Sequence, residues 1–219
     1  MKELMYTPDT GELEARIATQ LALSRMFATG GENLKQTLTS LTQAYLLWVG
    51  EMRETGSDLL LNQLSESIDS EMKDELTYEF NRLFVGPASP SVPPYESVYR
   101  SEDGLVMQES TLDVRKWYRE EKLSLSSPSN EPDDFISTEL EFAAYLLACA
   151  LELYQKDHVA EALEYLQKYN TFWDEHLGLW LPAFVQELSF FAKSQVFRAI
   201  GEILIQTATP IRQGEGGLS

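Results

Sequence analysis

"PDDFISTELEFAAYLLACALELYQK", residues 132–156, decides how the rest of the chain is read. Ile136, Leu140, Ala143, Leu147, Ala150 and Tyr154 recur at steps of three or four, which puts them on one stripe of an α-helix. Pro132 suits the first helical position, where an N–H would lack a partner anyway. Asp133 and Asp134 then fall in the first turn, where carboxylates oppose the helix dipole and contribute about 0.3–1 kcal/mol each. The spacing therefore predicts a helix from Pro132 to about Lys156.

The same period continues outward in both directions. Leu13, Ile17 and Leu21 lead to Met26 and Phe27, and Gly30-Gly31 closes that helix. Leu34, Leu38, Leu41, Tyr45, Trp48 and Met52 step without a miss behind Asn33 as an N-cap. A shorter run covers Ser57 to about Ile68. Met72, Leu76, Phe80, Leu83 and Phe84 then reach Gly86-Pro87, which a helix cannot comfortably pass. On the C-terminal side Ser110 can cap a helix carrying Leu112, Trp117 and Tyr118, and residues 123–130 are loop by composition. Ala162, Leu166, Tyr169 and Phe172 mark a further helix; residues 176–206 supply one or two more, with Pro182 near a start. Strand-like alternation has one candidate, Ser97 to Val106. The expectation is an all-α, single-domain bundle of about ten helices over residues 1–207. A long proline-rich loop interrupts its middle, and residues 208–219 form an unstructured tail.

Composition sets the class. At 219 residues, 43% hydrophobic and 11% aromatic, the chain can bury a substantial core. No run of about eighteen apolar residues occurs, and the N-terminal stretch lacks the apolar region of a secretory signal. The single Cys149 lies in an apolar helical run, which points to a reducing compartment, the cytoplasm. Seventeen Lys and Arg against 35 Asp and Glu give a formal net charge of −18. Such a surface repels nucleic-acid phosphates and anionic membranes and attracts a basic partner. It also maintains solubility without any partner.

Catalytic patterns are missing. The residues three before His158 and His176 are Gln155 and Trp173, so the Glu-x-x-His pairs of a di-iron bundle fail. One cysteine and two histidines fall short of a structural zinc set. Neither a phosphate-binding glycine loop nor a serine nucleophile elbow is present. Cys149 on a core-facing helix reads as packing. The expectation is a protein that binds, with no enzyme activity and no cofactor.

Two stretches could do the binding. The first is "FNRLFVGPASPSVPPYESVYRSEDG", residues 80–104. Pro90, Pro93 and Pro94 hold an extended backbone at little entropic cost, and Tyr95 and Tyr99 on it offer rings to an apolar peptide. The same features suit a strap closing the end of the bundle. The second is "NEPDDFISTELEF", residues 130–142. Helix capping explains its aspartates, but Glu139 lies among Ile136, Leu140, Phe142 and Ala143 and wants a cation or donor. Arg82 or Arg198 would satisfy it structurally, and a partner's arginine would satisfy it functionally.

Taken in order, these stretches resemble the TorD/DmsD family of redox-enzyme maturation chaperones, which includes NarJ-like and YcdY-like members. The first motif is Arg82-Leu83-Phe84-Val85-Gly86-Pro87, then Pro93-Pro94-Tyr95-Glu96-Ser97-Val98-Tyr99. The second is Glu131-Pro132-Asp133-Asp134-Phe135, then Glu139-Leu140-Glu141-Phe142. With "HLGLWLPAF" at 176–184, the resemblance covers residues 10 to 206.

The resemblance implies a cytoplasmic chaperone that binds the twin-arginine signal peptide or the apo form of a molybdopterin oxidoreductase before export. By motif position the peptide contacts would be Phe80, Pro94, Tyr95 and Asp134, with Arg82, Pro93, Ser97, Tyr99, Glu131, Pro132 and Glu139 around them. Phe135 departs from the pattern, which commonly has histidine there. The resemblance further implies weak guanine-nucleotide binding in some members, and a monomer that exchanges helices into a minor dimer through residues 86–131. Two alternatives stand beside it. One is a YcdY-like assembly chaperone for a cytoplasmic metalloenzyme; the other is a small metal-dependent hydrolase using Glu139 or Asp134.

Overall fold

The structure, a computed structural model, describes residues 9–52, 60–62, 64–65, 73–86, 89–123 and 131–211. Nine α-helices are named along them: α1 (Thr10–Thr29), α2 (Leu34–Met52), α3 (Lys73–Phe80), α4 (Glu96–Arg100), α5 (Glu109–Glu120), α6 (Ile136–Gln155), α7 (Val159–Phe172), α8 (Gly178–Phe191) and α9 (Gln195–Thr207). Residues 60–62 and 64–65 are also helical, with Leu60 and Leu64 buried, within the run expected from Ser57 to Ile68. The rest of that run, Pro87, residues 124–130 and the tail beyond 211 lie outside the described residues. No strand forms among the described residues, and the all-α expectation holds.

α6 is the axis. Its predicted stripe is buried from Ile136 to Ala150, with Tyr154 half-buried at the end, and Phe142, Ala144 and Leu146 are buried on other sides. A helix apolar on several faces must be covered on several faces. α1 packs along one side of α6 and α7 along another, while α2 covers the outer face of α1. α8 and α9 pair with each other, and α9 also touches α1. Between these layers Phe84 meets Phe27, Phe184 and Phe197 at ring separations of 5.2, 6.1 and 5.8 Å. Edge-to-face and offset contacts of this kind add about 0.5–1.5 kcal/mol each beyond burial.

Two helices end in five-residue π-turns, Asn81–Val85 after α3 and Trp173–Leu177 between α7 and α8. A π-turn accommodates one residue more than an α-turn and re-aims side chains. The second one brings His176 and Leu177 inside together. The first ends at Gly86, whose φ of 65° lies where a side chain is strained.

Several expectations need correction. α6 begins at Ile136 and not at Pro132, because Phe135 is extended (φ −74°, ψ 136°). It is held so by a bridge to Tyr95, in which Ile136 N donates to Pro94 O at 2.9 Å and Glu96 N to Asp134 O at 3.1 Å. Asp133 and Asp134 therefore sit in a turn before the helix. Ser110 is a buried first-turn residue of α5, and Gln108 takes the cap position. Asn33 belongs to a 3-10 turn, Gly31–Asn33, leading into α2. Pro182 lies inside α8, a turn after its start. Ser97–Val106 is no strand, since α4 occupies its first part. Residues 86–131 are likewise no single loop, since α4 and α5 interrupt them.

The segment after α9 does not behave as tail up to Ile211. Ile211 is buried, and its N–H and C=O both pair with the Asn170 side chain at 2.7 Å. Thr209 O accepts from Tyr169 and from Arg16 on α1. Short range periodicity could not show this, because all of these partners are far away in sequence. Asn170→Ala should strand that backbone pair and cost about 1–3 kcal/mol, read as a lower melting temperature. An unchanged melting curve would return residues 208–211 to the tail.

Candidate functional site

The Tyr95–Phe135 bridge forms the wall of a groove of about 520 Å³. Phe80 and Phe84 come from α3 and its π-turn, Pro90, Pro94 and Tyr95 from the strap, and Phe27 to Gly30 from the end of α1. The other wall belongs to the approach and first turns of α6, with Glu131, Phe135, Ser137, Thr138 and Glu141. Each element is placed by its own chemistry. The prolines hold the strap extended, and Gly30, at φ 68°, ends α1 and turns the chain away, leaving Phe27 at the floor. Tyr95 and Phe135 lie 5.3 Å apart, ring to ring, and Tyr95 Oη donates to Glu131 Oε2 at 2.7 Å. Burial, and then that hydrogen bond to a carboxylate, push the Tyr95 phenol above its ordinary range, so it stays a neutral donor.

The expected site residues divide. Phe80, Pro94, Tyr95 and Glu131 line the groove. Pro93 and Pro132 are half-buried neighbours of that lining, with Pro132 O accepting from Phe135 N. Asp134 is completely buried beneath the wall: Oδ2 accepts from Ser97 N at 2.8 Å and Oδ1 from the Thr111 hydroxyl at 2.8 Å. Asp134 thus caps α4, a different helix from the one the sequence suggests. Ser97 is equally buried. Tyr99 stacks on Trp180 at 5.6 Å and donates to Glu187, away from the groove lining. Arg82 points to the corner between α8 and α9, where Nη2 donates to Phe191 O at 2.9 Å.

Glu139 lies deeper still, at zero exposure, and neither Arg82 nor Arg198 reaches it. Trp180 Nε1 donates to Glu139 Oε2 at 3.1 Å. Beside it Glu96, also fully buried, accepts from His176 Nδ1 at 2.9 Å and pairs with Arg100. Burial first, then the Glu96 carboxylate, hold the Glu139 acid well above the usual carboxylate range. A protonated Glu139 supplies the proton that two adjacent carboxyls require. Sequence reading missed Glu96, His176 and Trp180, since no local pattern marks a polar group whose partners are 40 to 80 residues away. Phe84, Phe135, Thr138 and Glu141 were missed as groove lining as well. Phe84 and Phe135 stood inside the quoted motifs, and that adjacency was the available signal. Among the described residues, no three His, Cys, Asp or Glu side chains are placed to hold a metal ion. No described helix is long and apolar enough to cross a membrane.

An all-helical bundle with a proline strap over one groove is the class that fold and site define. Residues 50–186 match the family model described as nitrate reductase delta subunit. The chain belongs to this family, that of the TorD/DmsD redox-enzyme maturation proteins. It is 29% identical over 145 residues to the chaperone protein TorD of Vibrio vulnificus, spanning 66% of this chain and 65% of that relative. To the TorD of Vibrio parahaemolyticus it is 25% identical over 203 residues, 92% of this chain and 85% of the other. A Haemophilus influenzae protein named as a Tat proofreading chaperone, DmsD, is 25% identical over 145 residues, 66% of this chain and 64% of its own. A solved structure described as a redox enzyme maturation protein of Archaeoglobus fulgidus shares the fold, with a TM-score of 0.50 and 15% identity. That likeness covers 94% of this chain and 98% of the other.

Two outcomes follow from the buried groups. Asp134→Ala removes both acceptor oxygens and leaves Ser97 N and the Thr111 hydroxyl without their partner, so stability should fall by about 1–3 kcal/mol in denaturant unfolding. A variant as stable as wild type would show that Asp134 holds nothing. For Glu139 the sign is fixed by its raised pKa. The unfolded chain releases the proton near 4.5 while the folded one keeps it. This contribution is whole below that pH and is lost as pH rises, at up to about 1.4 kcal/mol per pH unit. Glu139→Gln keeps a donor and an acceptor without a titrating proton, so its stability should fall less than wild type between pH 5 and pH 8, and equal slopes would refute this.

Proposed function

We propose that the protein is a maturation chaperone that binds the twin-arginine signal peptide of a redox enzyme, a molybdopterin oxidoreductase, in this groove before export from the cytoplasm. The observation that carries the reading is the lining itself: aromatic rings from three elements face carboxylates from a fourth in one cavity. A leader of this kind is basic and then apolar. Tyr95 and Phe135, half-buried on the wall, suit the apolar part with the buried Phe80 and Phe84 as backing behind them, and Glu131 and Glu141 suit the arginines. The net charge of −18 adds a long-range field that speeds encounter with a basic segment at low salt. Family membership and the chaperone names of the relatives support the same reading. Phe135 stands where family patterns commonly carry histidine, and here it adds a ring to the wall. Asp134, Ser97 and Glu139 act as positioning residues beneath it.

Calorimetric titration with a synthetic twin-arginine leader tests the proposal. Tyr95→Ala should weaken binding about tenfold, with little dependence on salt, by removing an anchor ring. Glu131→Gln should weaken it a few-fold, about 0.2–1 kcal/mol, and salt should erase the difference. A wild-type protein that binds the leader no better than one with both arginines changed to alanine would overturn the reading.

A further inference from the structure

The groove is too small for a whole leader. About 520 Å³ lies within the size range of small-ligand pockets, about 300–1,000 Å³, and takes only a few side chains. An extended peptide advances about 3.3–3.6 Å per residue, so a basic pair followed by an apolar run must leave it. One wall shows where apolar contact continues. Val85 belongs to the groove lining yet is 56% exposed. From the same π-turn Arg82 donates to Phe191 O, and from the end of α3 Glu79 accepts from Ser194 N at 3.2 Å. These two side chains clasp the α8–α9 corner to the groove wall. On that corner Phe190 is 81% exposed and Phe191 40%, with their rings edge to face at 5.0 Å. Adjacent exposed phenylalanines held on a rigid corner are costly in water unless something covers them.

We propose that Phe190 and Phe191, reached past Val85, form a platform for the apolar run of the same leader whose arginines lie at Glu131 and Glu141. This rests on the groove reading above and adds a polarity to it. The basic end sits at the α6 wall, and the apolar end leaves over the α8–α9 corner. Charge separation argues for that direction, since the lining carboxylates all belong to the α6 wall while the strap and π-turn side is apolar.

The test uses the full chain with two synthetic peptides, a complete twin-arginine leader and one cut immediately after the arginine motif. Phe190→Ser removes an exposed ring without touching the core. It should weaken the complete leader about tenfold and leave the short peptide unchanged, while Phe190→Leu restores most of the loss. Tyr95→Ala should weaken both peptides. If Phe190→Ser binds the complete leader like wild type while Tyr95→Ala does not, the platform is wrong and the groove reading survives. If the wild type binds neither peptide, both fall. Equal weakening of both peptides by Phe190→Ser would also overturn the platform, because the short one does not reach it.

Discussion

Two backbone hydrogen bonds, Glu96 N to Asp134 O and Ile136 N to Pro94 O, are the constraint on which the rest of this structure depends. They tie a proline segment to a turn some 40 residues later, and they set where two helices may begin. α4 can start only after Tyr95 because Pro94 must stay extended to offer its carbonyl. α6 can start only at Ile136 because Phe135 must stay extended to close the bridge. Asp134 then secures the junction from beneath, its two oxygens serving α4 and α5 at once. Without this crossing the groove would have no wall, since Tyr95 and Phe135 are the bridged pair itself.

Behind the wall the protein keeps a set of groups that a stability-optimised core would avoid. Glu96, Asp134, Glu139 and His176 are all fully buried. Removing ionisable groups from water costs several kcal/mol each unless partners compensate, and apolar replacements of similar shape are often more stable. Each group here spans elements that apolar packing holds only loosely in angle. Glu96 joins α4 to the π-turn through His176, and Glu139 joins α6 to α8 through Trp180. Directional bonds fix the rotation of those helices about their axes, which non-directional burial leaves soft. The consequence is a wall of defined shape over a core that is sensitive to pH through Glu139.

The helices were legible because they obey one local rule. Leu34 to Trp48 needed nothing but spacing, and every residue of that stripe is buried; on α6 the spacing found Ile136 to Ala150 and left out Phe142, Ala144 and Leu146, which other helices cover. Boundaries failed where a distant group overrode local preference. Pro132-Asp133-Asp134 is a sound helix start in isolation, yet the bridge to Tyr95 holds the next residue extended and delays the helix by a turn. Of the eleven expected site residues, four lie in the groove lining. Phe80, Pro94, Tyr95 and Glu131 follow from rings and charges in two quoted motifs. Arg82 and Tyr99, in the same motif, point elsewhere, because on a helical turn adjacent residues face different ways. The partners of Glu139 were beyond any local reading.

Strap and binding wall need not be alternatives, since in the proposed mode the same residues serve as both. Prolines restrict the unfolded chain, so the wall is formed before any ligand arrives and little ordering cost falls on binding. Its backbone, however, is already committed: Pro94 O is bonded to Ile136 and Asp134 O to Glu96. A peptide in the groove therefore cannot insert as a strand between the strap and the α6 approach, where main-chain bonds would otherwise supply affinity. In the proposed binding mode recognition falls to side chains, to the rings of Tyr95 and Phe135 and to the carboxylates of Glu131 and Glu141. Rings and charges read the order of basic and apolar residues and tolerate changes in their identity. A groove of this kind suits ligands that share a pattern and differ in sequence, which is the form that leader peptides take.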